Sequence, residues 1–190
     1  MVTIRGNSIH EKGEVVKRLL LLRHAKSARP AGVADHERPL APRGCKDARL
    51  MGAYLQEEML LPDLALVSTS VRTRQTWDLL VQGLGTVPSL RFDRRIYDAP
   101  AGRLASVIAE TPDETNEVLL IGHNPGLADL AQRLAGHGDR YALARMRTKF
   151  PTSGLAVLDL PGESWRELND GSARLDRFVT PKSWRGGRGA

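Results

Sequence analysis

Four residues in this sequence carry the chemistry of phosphate, and each stands just beyond an apolar run. Arg23 and His24 follow Arg18–Leu22, Arg72 follows Leu64–Val67, and His123 follows Val118–Ile121. A neutral imidazole nitrogen can attack phosphorus when a hydrogen bond to its other nitrogen fixes the tautomer. A lone histidine in such a place is an ordinary structural residue; two at matching places are harder to read that way. Arginine offers a planar fork of donors suited to phosphate oxygens, and phosphoryl transfer asks mainly for positive donors around three equatorial oxygens. Taken alone, Arg72 beside Arg74 and Gln75 reads as a surface arginine on a first helical turn. It acquires a role from the company of the other three.

The elements that would hold these residues follow from periodicity. Arg18–Leu22, Leu64–Val67, Val118–Ile121 and Leu155–Leu160 are short continuous apolar runs, the pattern of strands buried on both faces. Between them Ala48, Met51, Tyr54 and Leu55, then Thr76, Leu79, Leu80 and Leu84, then Leu127, Leu130, Ala131 and Leu134 recur at helical spacing. The alternation predicts an α/β fold of three layers, a mostly parallel central sheet with helices on both faces, and Arg174–Val179 as a late edge strand. Ligands of such sheets bind beyond the carboxyl ends of the strands. Arg23-His24-Ala25-Lys26-Ser27, Ser68-Thr69-Ser70-Val71-Arg72 and His123-Asn124-Pro125-Gly126 fall there, and Thr152-Ser153 precedes the fourth run. Asn124 suits a helix N-cap and Pro125 a first helical position, so a helix from Gly126 to Leu134 would turn its amide-rich end toward an anion. Lys26, Ser27 and Ser153 either line the same pocket or lie on the surface beside it. A single domain over residues 17–184 is expected, between mobile tails at 1–16 and 185–190.

The 190 residues, 41% hydrophobic, suffice for one sizeable core. No run reaches the length of a membrane span and no apolar signal core opens the chain, so a soluble, cytoplasmic protein is expected. The net charge of +6 would suit nucleic acid, but residues 19–170 balance 19 basic against 19 acidic side chains and the excess lies at the ends. Aromatics, at 5%, are not interleaved with basic residues as a single-strand-binding surface requires. Neither nucleic acid nor membrane is therefore expected as a partner. The single cysteine, Cys45, is followed six residues on by Met51, where a cysteine-dependent phosphatase needs arginine. No G-x-x-x-x-G-K-[ST] loop is present. The five histidines include no H-E-x-x-H or comparable ligand pair, so neither a metal nor another cofactor is expected. His10, His36 and His137, in polar or glycine-flanked stretches, are expected to be solvent-exposed bystanders.

Taken in order, Leu22-Arg23-His24-Ala25-Lys26-Ser27, Arg38-Pro39-Leu40 with Gly44, Ser68 to Thr76 reading S-T-S-V-R-T-R-Q-T, and Ile121-Gly122-His123-Asn124-Pro125 resemble the histidine phosphatase superfamily. Within it they are similar to the small bacterial SixA-type phosphohistidine phosphatases. The resemblance covers roughly residues 17–160, and its specificity comes from four motifs in order. It implies a phosphoglycerate mutase-like fold and metal-independent chemistry in which His24 is transiently phosphorylated. It also implies that Arg23, Arg72 and His123 bind the phosphoryl group, with Asn124 and Ser27 as further phosphate-binding candidates. The Arg-His-Gly signature of relatives reads Arg23-His24-Ala25 here, a small substitution.

Many relatives place a glutamate, as general acid, in the segment that here reads Arg95-Ile96-Tyr97-Asp98-Ala99, which makes Asp98 the candidate. Asp98 is equally a turn residue before Pro100. The point bears on substrate, because an alkoxide leaves only with a proton whereas the imidazole of phosphohistidine protonates easily and has a weaker bond to break. A weak acid favours a phosphohistidine-bearing protein, as does the lack of an insertion long enough to lid a small metabolite. A small phosphorylated metabolite stays open as substrate, and so does a noncatalytic phosphate-binding protein that has kept the pocket without turnover. Nothing in the sequence sets the oligomeric state.

Overall fold

The computed structural model describes residues 17–187. Strands and helices alternate along it: β1 (Lys17–Arg23), α1 (Pro42–Glu57), β2 (Leu64–Ser68), α2 (Val71–Leu80), β3 (Ser89–Asp93), α3 (Ala101–Ile108), β4 (Glu117–Gly122), α4 (Gly126–Leu134), β5 (Ala135–Gly138), α5 (Arg140–Thr148), β6 (Leu155–Leu160), β7 (Ala173–Val179) and α6 (Pro181–Gly187), with 3-10 turns at Asp35–Glu37, Val81–Gly83 and Arg94–Ile96. The tails expected at 1–16 and 188–190 lie outside the described residues, and residues 185–187 of the second one close α6.

The seven strands form one sheet in the order β3-β2-β4-β1-β6-β7-β5. Pairings β1 with β4, β2 with β3, β2 with β4 and β5 with β7 are parallel, while β6 runs antiparallel to both its neighbours. Because β6 is reversed, its beginning meets the end of β1. The amide of Ser153 accordingly donates to the carbonyls of Arg23 and His24 at 3.1 and 3.2 Å, which brings Thr152-Ser153 to the same rim as the histidines. The strand expected at the edge, now β7, lies one place in, because β5 pairs with its outer side.

Alternation along the central strands divides the core into two layers. Leu20, Leu22, Val67, Leu119 and Ile121 pack with Met51 and Leu55 of α1 and Trp77 and Leu80 of α2. Leu19, Leu21, Leu66, Val118 and Leu120 pack with Leu104 and Ile108 of α3, Leu127 and Leu130 of α4 and Met146 of α5. Each such side chain contributes about 1.5–3 kcal/mol by leaving water. Two glycines let helices come close to the rim. A Cβ on Gly44 would lie 2.1 Å from the carbonyl oxygen of Lys26, and one on Gly126 would lie 1.8 Å from that of Ala99. Among the described residues no helix is long and apolar enough to cross a membrane.

Candidate active site

The end of β1 fixes His24. Its backbone amide donates to the carbonyl of Gly122 on β4 at 3.1 Å, and the residue is 8% exposed. Ring Nδ1 lies 2.8 Å from the carbonyl oxygen of Ala25. A carbonyl only accepts, so Nδ1 carries the proton and Nε2 keeps its lone pair. Burial, reinforced by Arg72, Arg23 and Arg38 against the bond to Ala25, pushes the imidazole down to about 4, and the ring is neutral at pH 7. The amide of Ala25 donates to Thr76 Oγ1 at 3.0 Å, and that hydroxyl donates to the carbonyl of Arg72 at 2.6 Å. Helix α2 is thereby tied to the strand end that carries His24.

Arg72, on the first turn of α2, is 6% exposed. Its Nη2 lies 3.2 Å from His123 Nδ1, which accepts, so His123 Nε2 donates to Ser68 Oγ at 2.8 Å. The His24 and His123 rings are 5.1 Å apart between centroids. Burial, with His24 and Arg72 adding to it, pushes His123 down to about 3. Ser68 is wholly buried, and its hydroxyl can accept or donate. His123 can therefore exchange tautomers and offer an Nδ1 proton to an anion that takes the place of Arg72.

Arg72 also reaches a residue that the sequence did not single out. Its Nη1 donates to the carbonyl of Asp35 at 2.5 Å and its Nη2 to Asp35 Oδ2 at 2.9 Å. The same carboxylate accepts from Tyr97 at 2.8 Å and from Arg38 Nη1 at 2.6 Å. The Tyr97 hydroxyl first, then Arg38 and Arg72, hold Asp35 well below the ordinary carboxylate range. Tyr97 stands edge-on to His123 at 5.3 Å and to His36 at 4.8 Å. His36, expected as a bystander, belongs to this rim, where its Nε2 lies 3.0 Å from Thr69 Oγ1. His137 is exposed as expected, and His10 lies outside the described residues.

Arg23 donates Nη1 to the carbonyl of Phe150 at 2.8 Å, while its buried Nε has no partner. Ser153 Oγ is also buried without a partner. Such unspent polar groups beside a nucleophile fit a bound anion. Asn124 is not the N-cap of α4: Pro125 holds that position, and the Asn124 amide nitrogen donates to the carbonyl of Phe150 at 3.0 Å. The helix itself begins at Gly126 as expected. Ser27 Oγ accepts from Arg38 Nη2 at 2.7 Å, so it meets the cluster through that arginine. Asp98 is exposed, in left-handed backbone at φ 48°, and makes no side-chain hydrogen bond to any member of the cluster. The turn Arg94–Ile96 buries Ile96 and leads into Tyr97, the residue of this segment that reaches the cluster, before the chain turns at Asp98.

Arg23, His24, Arg72 and His123, expected at one site, come together in the fold. Asp35, Tyr97 and His36 were not candidates from the sequence, and Ser68 stood in the Arg72 motif without a role of its own. The available signals were Asp35 three residues before Arg38-Pro39-Leu40, and Ser68 at the head of the Arg72 motif.

The family model for the histidine phosphatase superfamily (branch 1) matches residues 19–120. An uncharacterized protein of Mycobacterium tuberculosis is 40% identical over 163 residues, covering 85% of this chain and 100% of that one. Phosphohistidine phosphatase SixA of Escherichia coli is 30% identical over 120 residues, 61% of this chain and 73% of that one. A solved structure provisionally assigned as phosphohistidine phosphatase SixA from Agrobacterium tumefaciens superposes with a TM-score of 0.74 at 31% identity, over 87% of this chain and 98% of that one.

Proposed function

Because the chain belongs to the histidine phosphatase superfamily, we propose that this phosphatase removes the phosphoryl group from phosphohistidine on a protein, by way of a phosphorylated His24. The lone pair of His24 Nε2 forms a bond to phosphorus while the substrate P–N bond breaks, its electron pair returning to the substrate imidazole. Water then attacks the phosphorus of phospho-His24 and releases inorganic phosphate and the free imidazole. Arg23, Arg72 and His123 take the equatorial oxygens, with Asn124 holding the Phe150 carbonyl that also anchors Arg23. Thr76 ties helix α2 to the end of strand β1, which fixes the spacing between nucleophile and phosphate clamp.

The state of the two carboxylates carries the substrate class. Asp98 is turned to solvent, and Asp35 is held ionised by three donors. Neither is set to protonate an alkoxide, so the favoured leaving group is one that departs without that help, as imidazole does. The likeness to SixA of Escherichia coli supports the same reading.

The test compares kcat/KM for a phosphohistidine-bearing protein with that for an alkyl phosphate such as glycerol phosphate. The expected excess is at least about a hundredfold, or ~2.7 kcal/mol. Comparable rates, with a large loss in Asp98→Asn, would instead assign a small-metabolite phosphatase. His24→Ala should abolish turnover together with the acid-labile, base-stable label on the enzyme.

A further inference from the structure

We propose that Asp35 determines specificity in this pocket: it cedes Arg72 to the incoming phosphoryl group and then accepts a hydrogen bond from the leaving imidazole. The inference rests on the phosphohistidine reading above.

Arg72 spends both terminal nitrogens on Asp35, at 2.5 Å to the carbonyl and 2.9 Å to Oδ2. A phosphoryl group that takes the arginine fork competes with an anion already there. Asp35 then remains at the mouth, because Tyr97 at 2.8 Å and Arg38 at 2.6 Å still hold it. Its side chain is 55% exposed, so Oδ2, freed of Arg72, can face a ligand. The rings of Tyr97 and His36, 4.8 Å apart, stand beside it. A carboxylate flanked by aromatic rings suits a flat, cationic leaving group and repels a second anionic group such as the carboxylate of a phosphorylated hydroxy acid.

The chemistry balances without a proton donor. Phosphohistidine protonated on its unphosphorylated ring nitrogen loses the P–N bond to His24 Nε2. The bonding pair neutralises the ring, and imidazole departs with its N–H intact. Asp35 stays a carboxylate throughout and favours the protonated, reactive form of the substrate. The other charged or titratable groups around Asp35 are His36, Glu37 and Arg38 from its own turn, Arg72 from α2, Tyr97 from the loop after β3, and His123 behind Arg72.

The experiment uses the full chain with Asp35→Asn and Asp35→Ala, assayed on free phosphohistidine and on p-nitrophenyl phosphate, with inorganic phosphate as inhibitor. Phosphate should inhibit the variants at concentrations about threefold lower or less, since its competitor on Arg72 is gone. The kcat/KM ratio of phosphohistidine to aryl phosphate should fall at least about tenfold, the value of one charge-assisted hydrogen bond. The alkaline limb with phosphohistidine should move to lower pH. An unmoved ratio, or an equal loss on both substrates with weakened phosphate inhibition, would reduce Asp35 to a support for Arg72 and overturn the proposal. A wild type that turns over aryl phosphate but not phosphohistidine would overturn the substrate reading and the proposal with it.

Discussion

Ser68→Ala isolates the ability of His123 to change its proton pattern. Ser68 is wholly buried and its hydroxyl lies 2.8 Å from Nε2 of His123, a residue that is itself 4% exposed. Removing one oxygen leaves too little room for a water, which needs about 10–15 Å³. His123 Nε2–H is then stranded, at a cost of about 1–3 kcal/mol. Moving the proton to Nδ1 is no escape, because that nitrogen would meet Arg72 Nη2 at 3.2 Å donor against donor. In stability the loss is a Tm lower by about 5 °C, taking ~2–4 °C per kcal/mol for a chain of this size. In catalysis the tautomer that offers Nδ1–H to the phosphoryl group loses the Ser68 hydroxyl that would donate to Nε2, and a net transition-state loss of about 1–3 kcal/mol lowers phosphoenzyme formation by about fivefold to a hundredfold. Stopped-flow measurement of the aryl phosphate burst at 25 °C, paired with thermal melts, reads both. A lower Tm with an unchanged burst rate would show that the hydroxyl only fills space, and the tautomer argument would fall.

Arg72→Ala should lower turnover by about a hundredfold or more and weaken inhibition by phosphate; Arg74→Ala, whose guanidinium lies over Phe92 at 4.8 Å on the outer side of α2, should not. The reverse result would mean that the wrong arginine has been assigned to the clamp. With His24 pushed down to about 4, long-range proton–nitrogen NMR should find its ring neutral and Nδ1-protonated at pH 5.5. A midpoint near the ordinary 6.5 would contradict the burial argument. Because that folded-state pKa is depressed, stability from His24 is present above pH 6.5 and drains away as pH falls toward 4. Glu117 behaves in the opposite sense: burial pushes its carboxyl up to about 7, with Arg18 pulling down and Asp63 and Asp159 pushing further up. Its contribution is full below the ordinary 4.5 and lost as pH rises through 7. Glu117→Gln should gain about 1–3 kcal/mol at pH 8 and little at pH 4 in urea titrations. An equal effect at both pH values would exclude the carboxylate as its source.

Of the five strands legible in the sequence, four are central ones whose interiors are almost wholly apolar, and the fifth, β7, was recognised at Arg174–Val179 but placed one position too far out. Strand β3, Ser-Leu-Arg-Phe-Asp, and strand β5, Ala-Gly-His-Gly, lie at the two edges, and nothing obliges an edge to alternate. An apolar run also says nothing of direction, so the reversal of β6, and with it the approach of Ser153 to His24, was not legible. At the site, Arg23, His24 and His123 were readable because a strand end fixes where a residue must lie. Asp35 and Tyr97 come from turns whose paths are set by tertiary partners, Arg38 and Arg72 for the first and the buried Ile96 for the second. No local pattern distinguishes Tyr97 from its neighbour Asp98, yet the chain directs one inward and the other to solvent.

The pocket is suspended from two kinds of strand. His24 leaves β1, which is hydrogen-bonded on both sides by β4 and β6, whereas Tyr97 follows β3, the outermost strand at one end of the sheet. Opening events that start at an edge would release the Tyr97 side of the mouth while the floor that holds phosphorus stays shut, so amide exchange should be slow at Leu20–Leu22 and fast at Leu90–Phe92. Substitutions are correspondingly cheaper on the mouth than on the floor. A lineage could retune which leaving group the mouth accepts by remodelling the loops at Asp35 and Tyr97, and inherit the phosphoryl-transfer chemistry unaltered.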